Sequence, residues 1–226
     1  MTTQDHSGVG SVPASWGVYT PQHDTLLLAQ ALGREHIGAG AAVLDVGTGA
    51  GALALVAARR GARVTAVDRA YRAVLATRLN ARLARLSVEV LHGDLFGPVV
   101  GRRFDLVVSN PPYVPTPEAV LRRHRAAVAW DAGVDGRLLL DRICRRVHTS
   151  LRPGGVLLLV HSALCGIAPT LACLERSGLA ARVTDRRLVP FGPVLRSRGA
   201  WLREQGLVDA DEEKEELVII RAERTR

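Results

Sequence analysis

The residues best suited to chemistry are Asn110, Pro111, Pro112 and Tyr113, which directly follow an apolar run over residues 104–108. Such a run predicts a buried strand, and open α/β sheets bind their ligands at the carboxyl ends of strands. The side-chain carbonyl of Asn110 and the backbone carbonyl of Pro111 can together accept both hydrogens of a planar NH2 group. Tyr113 offers a flat apolar face against which that group can lie. The four residues therefore predict a catalytic site for an amide or exocyclic amine nitrogen, although a lone Asn-Pro dipeptide usually marks only a turn.

Carboxylates end the three predicted strands that precede this one, at Asp45, Asp68 and Asp94. Because the carboxyl ends of neighbouring parallel strands meet at one edge of a sheet, we expect these side chains and Asn110 to face one crevice. In that crevice Asp94 can accept hydrogens from an adenine amine, and Leu95 can pack on the ring. This shared position is the strongest physical indication of a site in the sequence.

A glycine turn follows the short apolar strand over residues 41–46 and contains Gly47 and Gly49. Glycines let the backbone approach a ligand and open the amino terminus of the next helix toward it. The full G-x-G-x-x-G spacing of dinucleotide enzymes is absent. The carboxylate of Asp45 beside this turn would repel a pyrophosphate and attract a ligand that carries an ammonium and a sulfonium. Asp68, about twenty residues beyond the turn, can accept both hydroxyls of a ribose.

Apolar strands and helices alternate along the chain, with short glycine or proline turns between them. This alternation predicts an α/β fold with a Rossmann-like, doubly wound, mostly parallel sheet and helices on both faces. The 226 residues suffice for one such domain, which we place at residues 17–226, after a flexible polar lead-in over residues 1–16. Residues 190–205 form an Arg-rich excursion before the last predicted strand, over residues 217–220.

Two predicted helices carry side chains whose placement matters for the site and the surface. Asp24 or Thr25 can cap the first helix, since short polar side chains bond the free N–H groups at a helix start. The helix predicted over residues 71–83 has four apolar side chains on one face. They are Val74, Leu75, Leu79 and Leu83.

The charge of the chain favours anionic partners without identifying one. Lys and Arg number 30 against 22 Asp and Glu, a formal net charge of +8. Such a charge raises the encounter rate with RNA, DNA or a ribosome-bound protein, and weak RNA or ribosome contact is one interpretation. An Arg-rich, Ala-rich composition is equally typical of a GC-rich genome.

Cysteine spacing and hydropathy limit the class of protein. Cys144, Cys165 and Cys173 form no C-x-x-C pair, so we expect small core residues in a reducing compartment and neither a metal site nor a disulfide framework. Residues 1–10 contain no apolar signal core, and no apolar run approaches the roughly 18 residues of a membrane span. We therefore expect a soluble, cytoplasmic protein without a membrane partner.

Asn-Pro-Pro-Tyr is the signature of methyltransferases that act on amide or amine nitrogens, and two further blocks extend the match. Residues 18–28 read VYTPQHDTLLL, and residues 129–142 read AWDAGVDGRLLLDR. On these blocks the chain resembles the class I S-adenosylmethionine-dependent methyltransferases of the HemK type. It is most similar to the short branch that lacks an amino-terminal helical domain and includes the eukaryotic and archaeal release-factor glutamine methyltransferases. The resemblance runs from about residue 18 to residue 220.

The resemblance implies the class I methyltransferase fold, in which the final strand is antiparallel, and S-adenosyl-L-methionine as the cofactor, with S-adenosyl-L-homocysteine as its product. It also implies that Asn110 faces both cofactor and substrate, as part of a catalytic Asn110-Pro111-Pro112-Tyr113 loop. The remaining cofactor-binding residues implied by the resemblance, together with the glycine turn, are Tyr19, Thr25, Asp45, Gly47, Gly49, Asp68, Asp94 and Leu95.

The substrate implied by the resemblance is the glutamine side chain in the Gly-Gly-Gln loop of translation termination factors. Some relatives of the short branch work with a small zinc-binding activator subunit, so an exposed apolar edge is expected. Two departures stand out. Asp45 occupies a position where eukaryotic relatives often have Glu, and the excursion over residues 190–205 has no counterpart that we can align in the eukaryotic members.

Two alternatives remain open from the sequence. An N6-adenine methyltransferase acting on RNA or DNA needs the same acceptor pair, and Tyr113 can stack on a base. The block over residues 129–137 and the lack of a separate nucleic-acid recognition domain count against it. A binding module that keeps the fold without the activity is the other alternative, and the intact Asp45, Asp68 and Asn110 count against that.

Overall fold

A seven-stranded sheet organises the computed structural model, which describes residues 22–117 and 132–225. The strands are β1 (Ala42–Val46), β2 (Arg63–Asp68), β3 (Val88–His92), β4 (Phe104–Ser109), β5 (Leu151–Ser162), β6 (Leu179–Pro190) and β7 (Lys214–Arg224). Their order is β3-β2-β1-β4-β5-β7-β6. Strands β1 to β5 pair in parallel, whereas β7 runs antiparallel to both β5 and β6. The predicted mostly parallel sheet with an antiparallel final strand is confirmed.

Helices connect these strands and cover both faces of the sheet. They are α1 (His23–Arg34), α2 (Ala52–Arg59), α3 (Tyr71–Leu83), α4 (Leu138–Arg146), α5 (Ile167–Arg176) and α6 (Pro193–Glu204). In β4 the consecutive residues Leu106, Val107 and Val108 are all buried, which requires cover on both faces because successive side chains of a strand point in opposite directions. None of the helices in the described ranges is both long and apolar enough to cross a membrane.

The first helix begins earlier than its predicted cap. The residue before α1 is Gln22, whose side chain makes no capping hydrogen bond, and Asp24 and Thr25 lie inside the first turn. Both side chains are buried, at 4% exposure each. The prediction that one of them caps the helix is wrong, because their polar atoms bond to residues of the site described below.

Helix α3 packs on the sheet through its small side chains. Val74 is buried, but Leu75, Leu79 and Leu83 are 37%, 50% and 66% exposed, and Tyr71 is 58% exposed. The prediction that all four lie on one face is wrong, because Val74 is buried against the core while the three leucines are exposed. The buried residues of this helix are Ala73, Val74, Ala76, Thr77, Asn80 and Ala81, which allow a close approach to the strands beneath.

The excursion between β6 and β7 contains a helix, α6, which the sequence analysis did not predict. It builds a small apolar cluster of its own, separate from the main core, from Phe191, Leu195, Leu202 and Val208. The three cysteines are free and buried, so the expectation of small core residues is confirmed.

Candidate active site

The register of the sheet brings the glycine turn and the Asn-Pro-Pro-Tyr loop together. Strand β4 ends at Ser109, whose partner in the ladder is Val46, the last residue of β1. Asn110 and Gly47 therefore leave the sheet side by side. Asp68 ends β2, the other neighbour of β1. This edge lies where the order of the strands reverses, between β1 and β4, which is the usual ligand crevice of a doubly wound sheet.

The glycine turn leaves space beside its backbone. Gly47 and Gly49 have φ angles of +75° and +58°, which L side chains rarely adopt. A Cβ atom added at either residue would meet nothing within 4 Å. The N–H groups of Gly47 and Thr48 both donate to the carbonyl of Val67, which ties the turn to β2. The space that a side chain would fill is thus open to a ligand that approaches the backbone.

The carboxylate of Asp68 is oriented by the backbone around it. One oxygen accepts the N–H of Gly49 at 2.9 Å, and the other accepts the N–H of Ala70 at 2.8 Å. Burial raises the pKa of this carboxyl above its ordinary value. Each oxygen keeps a further lone pair for a ligand, which suits a pair of ribose hydroxyls.

Asp45 is 1% exposed and only half satisfied by the residues that the structure describes. Its Oδ2 accepts the hydroxyl of Thr48 at 2.6 Å and the N–H of Ala54 at 3.1 Å, which closes the turn onto the first residues of α2. Its Oδ1 has no hydrogen-bond partner among the described residues. Burial raises the pKa of this carboxyl to about 7. A buried, unsatisfied acceptor of this kind fits a cationic ligand, because an ammonium both bonds the oxygen and offsets the cost of its charge.

Contacts from α1 fix the orientation of the Asn110 side chain. Asn110 Nδ2 donates to Thr25 Oγ1 at 3.1 Å, and Thr25 Oγ1 lies 3.2 Å from Asp24 Oδ1. A threonine hydroxyl has one hydrogen, and a carboxylate can only accept, so that hydrogen goes to Asp24. Thr25 must then accept from Asn110, which turns the NH2 end of the amide toward α1. The carbonyl Oδ1 is consequently the end that is available to accept hydrogens from a substrate.

The same carboxylate contacts the far end of the loop. Tyr113 Oη donates to Asp24 Oδ2 at 3.1 Å, and the tyrosine is 8% exposed within the main core. Asp24 therefore contacts the loop on both sides of the two prolines. It reaches Asn110 through Thr25, and it accepts directly from Tyr113. Sequence reasoning assigned Asp24 only a capping role. The signal that it missed was an acidic residue directly before Thr25 in the block over residues 18–28.

The carbonyl of Tyr113 is enclosed by two residues that the sequence analysis did not select as site residues. The thiol of Cys165 donates to this carbonyl at 2.9 Å. A Cβ atom added at Gly136, whose φ is +73°, would lie well inside contact distance of the same oxygen and 2.9 Å from Cys165 Sγ. Only glycine fits there. Pro111 is buried beside them and Pro112 is partly buried.

The other predicted cofactor residues are placed less centrally. Asp94 follows the end of β3, is exposed, and forms an ion pair with Arg142 of α4. Leu95 is partly buried against the main core with a φ of +47°. Tyr19 lies outside the described residues. The roles of these three residues stay predictions.

A sheet of this order, with an open glycine turn beside Asn110, is that of a class I S-adenosylmethionine-dependent methyltransferase. The chain belongs to the family described as "Methyltransferase small domain", which matches residues 13–129. The protein is thus an enzyme that takes S-adenosylmethionine as its cofactor, and the resemblance noted from the sequence is confirmed.

Relatives with assigned names are protein methyltransferases. The chain is 34% identical over 175 residues to a protein of Methanocaldococcus jannaschii named for protein N5-glutamine methyltransferase activity, covering 77% of this chain and 87% of that one. It is 39% identical over 145 residues to the release factor glutamine methyltransferase of Gloeobacter violaceus, covering 60% of this chain. The match spans only 50% of the length of that bacterial relative.

Solved structures agree on the fold. The Mtq2–Trm112 complex of E. cuniculi, described as responsible for methylation of the eRF1 translation termination factor, matches at a TM-score of 0.65 and 25% identity, covering 92% of this chain and 99% of that one. The 16S rRNA N2 G1207 methyltransferase of T. thermophilus, in complex with AdoMet and guanosine, matches at a TM-score of 0.60 and 26% identity, covering 93% of this chain and 44% of that one.

Proposed function

We propose that this protein transfers a methyl group from S-adenosylmethionine to the side-chain amide nitrogen of a glutamine in a peptide chain release factor or another translation protein. The observation that carries the proposal is the orientation of Asn110, whose amide nitrogen is bonded to Thr25 so that its carbonyl is left to accept. An acceptor at that point suits a substrate that offers N–H hydrogens. The names of the relatives favour glutamine as the residue that carries them.

The Asn-Pro-Pro-Tyr loop would enable the amide nitrogen of glutamine, which is a poor nucleophile, to attack the methyl group. An amide nitrogen attacks slowly because its lone pair is delocalised into the carbonyl. Asn110 Oδ1 and the Pro111 carbonyl accept its two hydrogens, fix the nitrogen in line, and favour the positive charge that builds up on it during attack. When bound, S-adenosylmethionine would supply the methyl group as an electrophile on a sulfonium, and the neutral thioether would leave with the electron pair of the carbon–sulfur bond. The methylated nitrogen then loses one proton, and a neutral secondary amide results.

The remaining site residues are proposed to bind the cofactor. The unsatisfied Oδ1 of Asp45 accepts from its ammonium, and Asp68 accepts from the two ribose hydroxyls. Gly47 and Gly49 leave room for it beside the backbone. The other proposed contacts are Tyr19, Thr25, Asp94, Leu95 and Asn110.

A nucleobase amine is the second candidate substrate. An exocyclic amine, such as N6 of adenine, presents the same two hydrogens to the same pair of acceptors. The net charge of +8 and the likeness to a guanine-N2 rRNA methyltransferase favour this alternative. Tyr113 is 8% exposed, which leaves little of its ring for stacking and counts against it.

We propose further that a small activator subunit binds beside β3. The surface has two parts, the free edge of β3 and the row of Tyr71, Leu75, Leu79 and Leu83, which we call the α3 stripe. Among the described strands, β3 pairs only with β2, so its outer edge presents unpaired N–H and C=O groups. The stripe is a row of exposed apolar side chains at four-residue spacing on the helix that packs on β3. An exposed apolar row next to an open strand edge is typical of a protein-binding surface.

The activator is tested with two single substitutions. Leu79→Asp places a charge in the centre of the α3 stripe, at a leucine that is 50% exposed. Leu188→Asp places one on β6, away from the stripe, at a leucine that is 63% exposed. The chain is co-expressed with the Trm112 subunit of the E. cuniculi complex, and the complex is sized by chromatography. Loss of the complex with Leu79→Asp alone supports the surface. A complex that survives Leu79→Asp, or none with the unaltered chain, contradicts it.

The substrate is tested by transfer of labelled methyl from S-adenosylmethionine. One reaction contains release factors, and the other contains ribosomal RNA or duplex DNA, each with and without the activator, and with Asn110→Ala as the inactive control. Mass spectrometry then locates the modified residue. Label on a glutamine side chain supports the proposed function. Label on adenine moves the function to nucleic acid, and no label in any reaction overturns both candidates.

A further inference from the structure

The excursion between β6 and β7 contacts the Asn-Pro-Pro-Tyr loop directly. Its small apolar cluster packs against Val114, the residue that follows Tyr113, and against Leu164. Gly192, at the start of α6, lies close to Gln22 at the start of α1, where an added Cβ would be 3.1 Å from the Gln22 side-chain oxygen. The excursion therefore lies along the exit of the catalytic loop.

The exit of the loop, residues 114–117, has few backbone hydrogen bonds of its own to hold it in place. Pro115 and Pro117 have no N–H, so the segment lacks two of the backbone donors that a strand ladder or a helix would use. The N–H of Thr116 donates to the carbonyl of Gly133 at 2.9 Å. The carbonyl of Val114 accepts the hydroxyl of Thr116 at 3.2 Å, and both this carbonyl and that of the buried Pro115 can accept donors from outside the segment.

Arg198 of α6 supplies those donors. Its Nη1 lies 3.1 Å from the carbonyl oxygen of Val114, 2.8 Å from that of Pro115 and 2.8 Å from Thr116 Oγ1. Hydrogen bonds from a charged donor are stronger than neutral ones, and a guanidinium keeps its charge at any working pH. One side chain of the excursion thus binds three consecutive residues of the loop exit.

We propose that Arg198 is a positioning residue for methyl transfer. Arg198 acts through the loop and does not touch the substrate. Thr25 holds the start of the loop at Asn110, and Cys165 donates to the Tyr113 carbonyl. Arg198 holds the three residues that follow Tyr113. The Pro111 carbonyl lies between these points, and a displacement of about 1 Å there costs on the order of a hundredfold in rate. This inference rests on the proposed function, because the loop is taken to bind the substrate nitrogen.

The test compares Arg198→Ala with a matched change in the same helix. Arg203 donates to the carbonyls of Ala210 at 2.9 Å and Glu212 at 3.4 Å, so Arg203→Ala loosens the excursion without a contact to the loop. We expect Arg198→Ala to lower kcat about ten- to a hundredfold, with the KM for the protein substrate and the Kd for S-adenosylmethionine within about threefold. Arg198→Lys keeps a charged donor and should recover part of the lost kcat.

A readout without a substrate separates this inference from the proposed function. Hydrogen exchange of the backbone amides of Tyr113, Val114 and Thr116 should speed up in Arg198→Ala and stay near wild type in Arg203→Ala. Unchanged exchange, an unchanged kcat, or an equal loss of kcat in Arg203→Ala overturns the inference. A wild-type protein that methylates none of the substrates overturns the proposed function instead, and the exchange result then decides alone whether Arg198 fixes the loop.

Discussion

The hydroxyl of Tyr113 lies 3.1 Å from the carboxylate of Asp24, although the two residues are 89 positions apart in the chain. The other oxygen of that carboxylate is 3.2 Å from the hydroxyl of Thr25, which in turn accepts from Asn110. One buried acidic residue of α1 therefore contacts the loop over residues 110–113 at both ends, directly at Tyr113 and through Thr25 at Asn110. In the proposed reaction its contribution is indirect, through the direction in which the Asn110 amide points.

Removal of the Asp24 carboxylate should allow Asn110 to turn over. In Asp24→Ala the Thr25 hydroxyl is released and can donate to Asn110 Oδ1, so the amide would present its NH2 end to a substrate that also offers hydrogens. We expect kcat to fall about ten- to a hundredfold, with cofactor affinity within about threefold. Steady-state methyl transfer and calorimetry measure the two quantities.

Two companion variants separate orientation from simple loosening. Asp24→Asn keeps an oxygen that accepts from Thr25 and should retain more activity than Asp24→Ala. Tyr113→Phe removes only the hydroxyl at the far end of the loop and should cost less than Asp24→Ala. Equal activity of Asp24→Ala and the wild type would show that the amide orientation does not depend on this carboxylate.

Substitution of Asn110 should lower the rate of methyl transfer far more than the affinity for S-adenosylmethionine. We expect Asn110→Ala to reduce methyl transfer below detection and to leave the affinity for S-adenosylmethionine within about tenfold, because the lost hydrogen bonds serve mainly the charge that develops during attack. Single-turnover transfer and calorimetry on the same preparation measure both. Turnover comparable to the wild type would remove Asn110 from the catalytic role.

Gly136 should tolerate no side chain. Gly136→Ala adds a Cβ that overlaps the Tyr113 carbonyl, whereas Gly40→Ala adds one at a similar φ, +78° against +73°, with nothing within 4 Å. Both variants carry the strain of a positive φ, on the order of 1–2 kcal/mol. Only Gly136→Ala should lose additional stability in urea unfolding and also lose methyl transfer. Identical unfolding curves and activities for the two variants would contradict the overlap.

The stability of the cofactor-free protein should fall as the pH rises from about 4 to about 7. Burial raises the pKa of Asp45 from 3.8, and that of Glu215 from 4.5, to about 7 in each case. Between those values the folded protein keeps protons that the unfolded chain has released, so unfolding releases protons and a higher pH favours it. Each carboxyl contributes a slope of up to about 1.4 kcal/mol per pH unit, which levels off above about pH 7.

Asp45→Asn and Glu215→Gln each remove one of these ionisations. Each variant should make the slope of the urea midpoint against pH less negative and should be more stable than the wild type at pH 8. In the double variant the slope below about pH 6.5 should become positive, because burial lowers the pKa of His161 to about 4 and the unfolded chain then binds the extra proton. A slope in both single variants that equals the wild-type slope would mean that neither buried carboxyl titrates in this range.

The sequence by itself determined which residues meet at the carboxyl edge of the parallel strands. Alternating strands and helices predict a parallel sheet, and residues that directly follow parallel strands must lie at one edge of it. Asn110 and Gly47 are therefore neighbours in the structure, as predicted, and Asp68 ends the adjacent strand. These relationships depend only on short-range pattern and on the direction of the strands.

Only the tertiary structure decided which side chains face which partner. The spacing of Leu75, Leu79 and Leu83 reveals an apolar row but not whether the protein itself covers it, and here the smaller residues of α3 face the sheet instead. The bonds of Asp24 to Tyr113, and of Arg198 to Pro115, join residues 89 and 83 positions apart. Such contacts arise from the way α1 and α6 pack around the loop, because a hydrogen bond needs an approach within about 3 Å that no local pattern specifies.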